Sequence, residues 1–217
     1  MIQLTREGVE GAAEIEPLAQ QFGREHVFRL RGLLHPNLMQ LVSSRLQSCA
    51  WGTRDHGTIA REACPVDLVP RAVLNFATNT SAFLDFVRVV TGCPQIARFD
   101  GRVYRMSASA DHFDSWHSDF GDTQDRLVGM SINLGSEPYE GGVFRLRDEA
   151  SKEILCDLPN TVPGDAIFFR ISPALKHMVT PLVGSVPKTA FAGWFVTGKL
   201  DYFGFLKEQF DVPVSAD

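Results

Sequence analysis

Pro163-Gly164-Asp165-Ala166-Ile167-Phe168-Phe169 is the stretch on which the fold turns. A proline, a glycine and an aspartate in succession favour a tight turn, and the apolar run behind them reads as a short buried strand. The same texture extends in both directions. Residues 102–107, 127–134, 142–146, 153–158, 166–170, 177–181 and 189–196 are strand candidates, punctuated by Gly135-Ser136-Glu137-Pro138, Asn160, Ser172-Pro173 and Gly184-Ser185. Many short strands at this spacing predict a sandwich or jelly roll rather than alternating βαβ units.

Upstream of about residue 96 the pattern changes and reads mainly as helical. One strand is expected at 26–31, where His-Val-Phe-Arg-Leu-Arg alternates. Pro36 suits the first turn of a helix carrying Leu38, Leu41, Val42 and Leu46. A second helix is expected to start at a cap within Asn79-Thr80-Ser81, run through Phe83, Leu84, Phe86, Val87 and Val90, and stop at Gly92 and Pro94. Helices first and strands afterwards define an α+β class. The expected organisation is one domain: a helical N-terminal support region (1–95), a strand core (96–200) and a C-terminal tail (201–217).

Bulk composition narrows the function. The 217 residues are 44% hydrophobic and 22% charged, as in an ordinary globular domain. A net charge of −5 disfavours nucleic acid as a partner. No apolar stretch is long enough for a membrane helix, and residues 1–11 lack the basic-then-apolar layout of a signal peptide, so a cytoplasmic protein is expected. Cys49, Cys64, Cys93 and Cys156 form no CxxC pair, which sets aside zinc-ribbon and thioredoxin readings.

The chemistry centres on Ser115-Trp116-His117-Ser118-Asp119-Phe120. In extended backbone, residues i and i+2 share a side, so His117 and Asp119 can present an imidazole and a carboxylate to one metal. His177 can add a second imidazole from a later strand. Two histidines and one carboxylate leave coordination positions open, the arrangement of non-haem iron(II) oxygenases. His112-Phe113-Asp114 is a rival His-x-Asp five residues upstream. His26, His35 and His56 have no matching partners and read as structural or surface residues.

Taken in order, Tyr104, His117-x-Asp119, Arg126 at the head of a strand, Gly141-Gly142, Pro163-Gly164-Asp165, His177, Lys188 and Trp194 form a set. Across about 102–196 the chain resembles the 2-oxoglutarate-dependent iron(II) oxygenases, especially their prolyl 4-hydroxylase-like branch. The resemblance implies a double-stranded β-helix (jelly roll) with the N-terminal helices packed against it. It implies iron held by His117, Asp119 and His177, with 2-oxoglutarate as co-substrate and ascorbate as a reductant. His117 is preferred to His112 because Asp119 stands seven residues before Arg126, matching the family's short passage into the next strand.

Lys188 makes sense independently, because a dicarboxylate needs a cation for the carboxylate that does not chelate metal. It stands eleven residues after His177, slightly more than the family's usual gap, and a one-residue bulge near Val186-Pro187 would absorb the excess. Should Lys188 point outward, Arg170 or Arg145 is next in line. Tyr104 fits the family's tyrosine that hydrogen-bonds the co-substrate, or else is a core aromatic with a wet tip.

The implied activity is a dioxygenase that consumes O2 and hydroxylates a C–H bond of a small molecule or an amino-acid or peptide side chain, releasing succinate and CO2. Asp119 also disfavours halogenation, for which the family replaces that carboxylate by a small residue. Two rivals stay open: a non-enzymatic cupin-like binding protein, and a cupin-type metalloenzyme that does without 2-oxoglutarate. Substrate contacts are expected in the loops around 52–70 and 106–125. Arg54, Arg61 and Arg105 are either contacts for an anionic small molecule or solvated arginines.

Overall fold

The computed structural model describes residues 2–108, 110–121 and 125–198. The tail expected at 201–217 lies outside them. A small pair of strands, β1 (Gln3–Leu4) and β2 (Val9–Glu10), precedes α1 (Ile15–Glu25), β3 (Val27–Leu30) and α2 (Pro36–Ser48). The hairpin β4 (Trp51–Asp55) and β5 (Ala60–Pro65) leads into α3 (Val69–Thr78) and α4 (Ser81–Thr91). Strands then follow one another: β6 (Arg98–Met106), β7 (Phe113–His117), β8 (Arg126–Asn133), β9 (Glu140–Gly141), β10 (Phe144–Asp148) and β11 (Ile154–Leu158). The last are β12 (Ala166–Arg170), β13 (Leu175–Val179), β14 (Leu182–Val183) and β15 (Lys188–Val196).

The helix signals work as their chemistry requires. Pro36 opens α2, with the His35 side chain accepting a hydrogen bond from the Asn37 amide. Thr80 precedes α4, and Gly92 closes it in the left-handed region at φ 67°.

An eleven-stranded sheet dominates, in the order β11-β10-β13-β7-β5-β6-β15-β8-β12-β3, with β4 added on β5. Its pairings are antiparallel. The sheet curls on itself into a jelly roll, with four helices among the described residues, so the α+β class and the double-stranded β-helix hold.

Strand β12 shows how the sequence builds this shape. Ala166 and Phe168 join the large core between sheet and helices, where Phe168 stacks on Phe28 at 4.5 Å and meets Phe83 and Phe195. Ile167 and Phe169 join a second cluster inside the curl with Phe144, Leu146 and Leu175. A strand that buries both faces must be apolar throughout, which is why this run lacks alternation. Gly164 takes φ 81° in the turn before it. Asp165 then clamps β3: its carboxylate pairs with Arg29 and accepts the Gly32 amide at 2.7 Å.

The region before residue 96 contributes strands to the sheet as well as helices. Strand β3 forms one edge of the sheet, and β5 lies between β7 and β6. The segment read as a loop around 52–70 contains the β4–β5 hairpin and the start of α3. Its strands escape notice because Thr53-Arg54-Asp55 and Arg61-Glu62 offer charges where an apolar alternation would be diagnostic. The bulge expected near Val186-Pro187 would fall before β15, whose pairing with β8 shifts between Phe195 and Val196. The register of β15 with β6 is continuous from Lys188 to Val196, and a bend at Gly184-Ser185 precedes it.

Candidate active site

Strand pairing brings the first two donors together. His117 ends β7 and stands directly opposite His177 on β13, so neighbouring strands set the imidazoles side by side, ring centroids 4.3 Å apart. His177 is buried against Phe144 and Phe169 at 5.7 and 4.6 Å, which fixes its ring. Asp119 lies just past the end of β7. Its Oδ1 is 3.6 Å from His117 Nε2, and its Oδ2 is 3.4 Å from His177 Nε2. Those edges exceed ordinary hydrogen-bond lengths. The three side chains converge on a common point without bonding one another, and one donor atom from each lies within 4.8 Å of the others. The group could hold a metal ion, and its donor chemistry suits iron(II).

The supports around these donors are specific. His117 Nδ1 lies 2.7 Å from the Ser115 carbonyl; a proton donated there leaves the Nε2 lone pair facing Asp119. The Trp194 indole N–H donates to Asp119 Oδ2 at 2.6 Å and so orients the carboxylate. Arg126 stacks on the same indole at 3.7 Å, with Nη1 3.9 Å from Asp119 Oδ1. Burial alone would raise the Asp119 carboxyl, yet His117, His177 and Trp194 together hold it well below the usual carboxylate range. Burial disfavours the His117 cation, but Asp119, Asp114 and the Ser115 carbonyl outweigh that and push the imidazole up to about 9.

The rival motif is divided. His112 is turned aside, its Nδ1 accepting the Ser107 amide at 3.0 Å. Asp114 faces inward instead. Its Oδ1 is 3.3 Å from His117 Nδ1, but that nitrogen is already engaged at the Ser115 carbonyl, so the carboxylate oxygen has no hydrogen bond of its own. Burial pushes the Asp114 carboxyl up, against the pull of His117, His177 and Lys188.

A cavity of about 350 Å³ opens in front of the donors, and Lys188 and Tyr104 line it too. Lys188 heads β15 and is 4% exposed. Among the described residues its Nζ has one hydrogen bond, to the Gly142 carbonyl at 3.3 Å. Desolvation lowers the ammonium to about 8, and Asp114 opposes the shift. A buried cation with donors to spare, facing a cavity beside a metal-type cluster, fits a co-substrate carboxylate. Gly142 permits this approach: at φ 57°, a Cβ there would meet Leu182 and Tyr139 at 2.9 Å. Tyr104 is buried beside it on β6, its phenol raised by desolvation.

The substitutes for Lys188 lie elsewhere. Arg145 pairs with Asp157 at 2.6 Å on an exposed edge, and Arg170 stacks on Phe22 at 4.7 Å. Arg61 turns toward Asp55 and Asp111, and Arg105 covers Trp51 at 3.8 Å. Sequence reasoning missed three cavity residues. His56, read as structural or surface, lines the wall with Glu62 and Arg102. The i, i+2 relation between Arg102 and Tyr104 on one strand was the available signal for Arg102.

Known proteins agree with this geometry. Residues 101–196 match the model of the 2OG-Fe(II) oxygenase superfamily. A search of curated proteins finds no match. Among solved structures, a 2OG-Fe(II) oxygenase family oxidoreductase from Burkholderia pseudomallei is similar, with TM-score 0.64 and 15% identity over 87% of this chain and 93% of that one. A Pseudomonas putida prolyl-4-hydroxylase gives 0.64 and 16%, over 86% of this chain and 100% of that one. A Trichoplax adhaerens prolyl hydroxylase, solved with a hypoxia-inducible-factor peptide fragment, gives 0.59 and 14%, over 83% and 87%. The 2OG-Fe(II) oxygenase match thus spans all three residues of the donor group that could hold a metal. The likeness of fold extends to prolyl hydroxylases.

Proposed function

We propose that His117, Asp119 and His177 hold the iron, that Lys188 receives the distal carboxylate of 2-oxoglutarate, and that Tyr104 offers its hydroxyl to the same molecule. The observation that carries this reading is Lys188: a buried ammonium with one long hydrogen bond, in the cavity that the donor cluster faces. With iron(II) and 2-oxoglutarate bound, the site supplies O2-dependent decarboxylation to succinate and CO2, coupled to hydroxylation of a substrate C–H bond.

The protein's own part is positioning. Trp194 and Ser115 fix two donors, and Phe144 and Phe169 exclude water around the third. The substrate is a small molecule or an amino-acid or peptide side chain, acted on in the cytoplasm. No described helix is long and apolar enough to cross a membrane.

The test is succinate formation by purified protein given iron(II), 2-oxoglutarate and ascorbate, with metal content measured alongside. His117→Ala and His177→Ala should lose iron and turnover, and His112→Ala should keep both. Loss in His112→Ala with retention in His117→Ala overturns the ligand assignment. Iron binding by the wild type with turnover unchanged in the Lys188→Met variant points to a metalloenzyme without 2-oxoglutarate.

A further inference from the structure

We propose that the cavity carries a second anion-binding position, centred on Arg102 and separate from Lys188, which selects a small substrate bearing a carboxylate or phosphate. The inference rests on the oxygenase reading above and names the substrate class of that site.

Strand β6 carries Arg102 and Tyr104 at i and i+2, so both side chains enter the cavity from one strand face. Glu62, 4% exposed on β5, is the internal partner. Its Oε1 accepts Arg102 Nε at 2.9 Å and lies 3.5 Å from Arg54 Nη1 and 3.7 Å from His56 Nε2. Among the described residues, Arg102 uses Nε alone in hydrogen bonding, which leaves its two Nη groups for an incoming oxyanion.

The position itself has more guanidinium than carboxylate. With His117, Asp119 and His177 assigned to metal and Lys188 to co-substrate, Arg102, Arg126, His56, Glu62 and Asp114 remain on the wall. Glu62 serves both Arg54 and Arg102, so two guanidiniums share one carboxylate there. Planar guanidiniums recognise carboxylate and phosphate through paired hydrogen bonds. The position adjoins the reaction centre: Arg102 lies 5.5 Å from the Trp194 ring centroid, and that indole holds Asp119. The rim adds an apolar side, with Ile59 and Phe113 lining the cavity while 45% and 39% exposed. An anionic head with an apolar body matches both surfaces, and a 350 Å³ cavity is of small-molecule size.

The experiment is calorimetric binding to protein loaded with manganese(II) and 2-oxoglutarate, with phenylacetate against phenylacetamide and phenyl phosphate against phenol. One charged probe should bind about tenfold or more tightly than its neutral partner, and the pair that shows this identifies the group. Arg102→Gln should abolish the preference, and Glu62→Gln, which removes the internal competitor, should strengthen it. Equal binding of charged and neutral probes, or an unchanged preference in Arg102→Gln, overturns the proposal. If Arg102→Gln does not fold, an unchanged or weaker preference in Glu62→Gln overturns it equally. Binding of 2-oxoglutarate separates the two readings: it should survive Arg102→Gln and fail in Lys188→Met. Failure in wild type refutes the co-substrate assignment, whereas loss in Arg102→Gln alone makes Arg102 the co-substrate's cation and overturns the second position.

Discussion

Replacing Lys188 by methionine sets stability against function. Burial lowers the Lys188 ammonium from 10.5 to about 8. At about 1.4 kcal/mol per unit, the cation costs the metal-free fold about 3 kcal/mol at neutral pH. Methionine keeps the length of the stem and removes the charge. The gain is offset because the Gly142 carbonyl loses its donor and Asp114 its nearby cation. Lys188→Met is therefore expected to stabilise the metal-free protein by about 1–3 kcal/mol in urea denaturation, while losing 2-oxoglutarate binding.

The pH dependence has a definite sign. Between about 8 and 10.5 the unfolded chain holds the Lys188 proton and the folded chain has released it, so raising pH favours the folded state. The advantage of the methionine variant should shrink across that window. A variant less stable than wild type by more than about 1 kcal/mol, or an advantage that does not change with pH, refutes the claim that Lys188 is an uncompensated buried cation.

Three further outcomes follow from the packing. Trp194→Phe keeps an aromatic wall but removes the N–H on Asp119, so metal affinity should fall by about 10–100-fold in competitive chelation. Asp165→Ala leaves Arg29 and the Gly32 amide without their shared carboxylate, with an expected loss of about 3 kcal/mol and early hydrogen exchange in β3. Phe168→Ala empties the centre of the helix-facing core and should cost about 3–5 kcal/mol in thermal or urea unfolding.

What could be read from the sequence follows physical lines. The turn at Pro163-Gly164-Asp165 and the run behind it were legible because glycine at positive φ and an all-apolar strand leave strong local marks. The caps of α2 and α4 were legible for the same reason. The β4–β5 hairpin was not, since its Glu62 pairs with Arg102 of β6, a contact that only the folded sheet creates. At the site, the Lys188 placement followed from the need for a cation. The fate of His112-Phe113-Asp114 did not. Asp114 and His117 are three apart, so a regular strand would turn them to opposite faces. A register shift in the β7–β13 pairing brings both toward the cavity, and no residue count reveals such a shift.

The two-sided burial of β12 also bears on how such a protein can change. Ile167 and Phe169 line the cavity, while Ala166 and Phe168 anchor the helices from the same few residues of chain. Strand β15 repeats the division, with Ala192 and Trp194 toward the cavity and Phe191 and Phe195 toward the helices. Alternate positions along one strand therefore answer to different selection: one set to durability, the other to choice of ligand. New substrate preferences can arise at 167 or 192 with the helix-facing scaffold left intact.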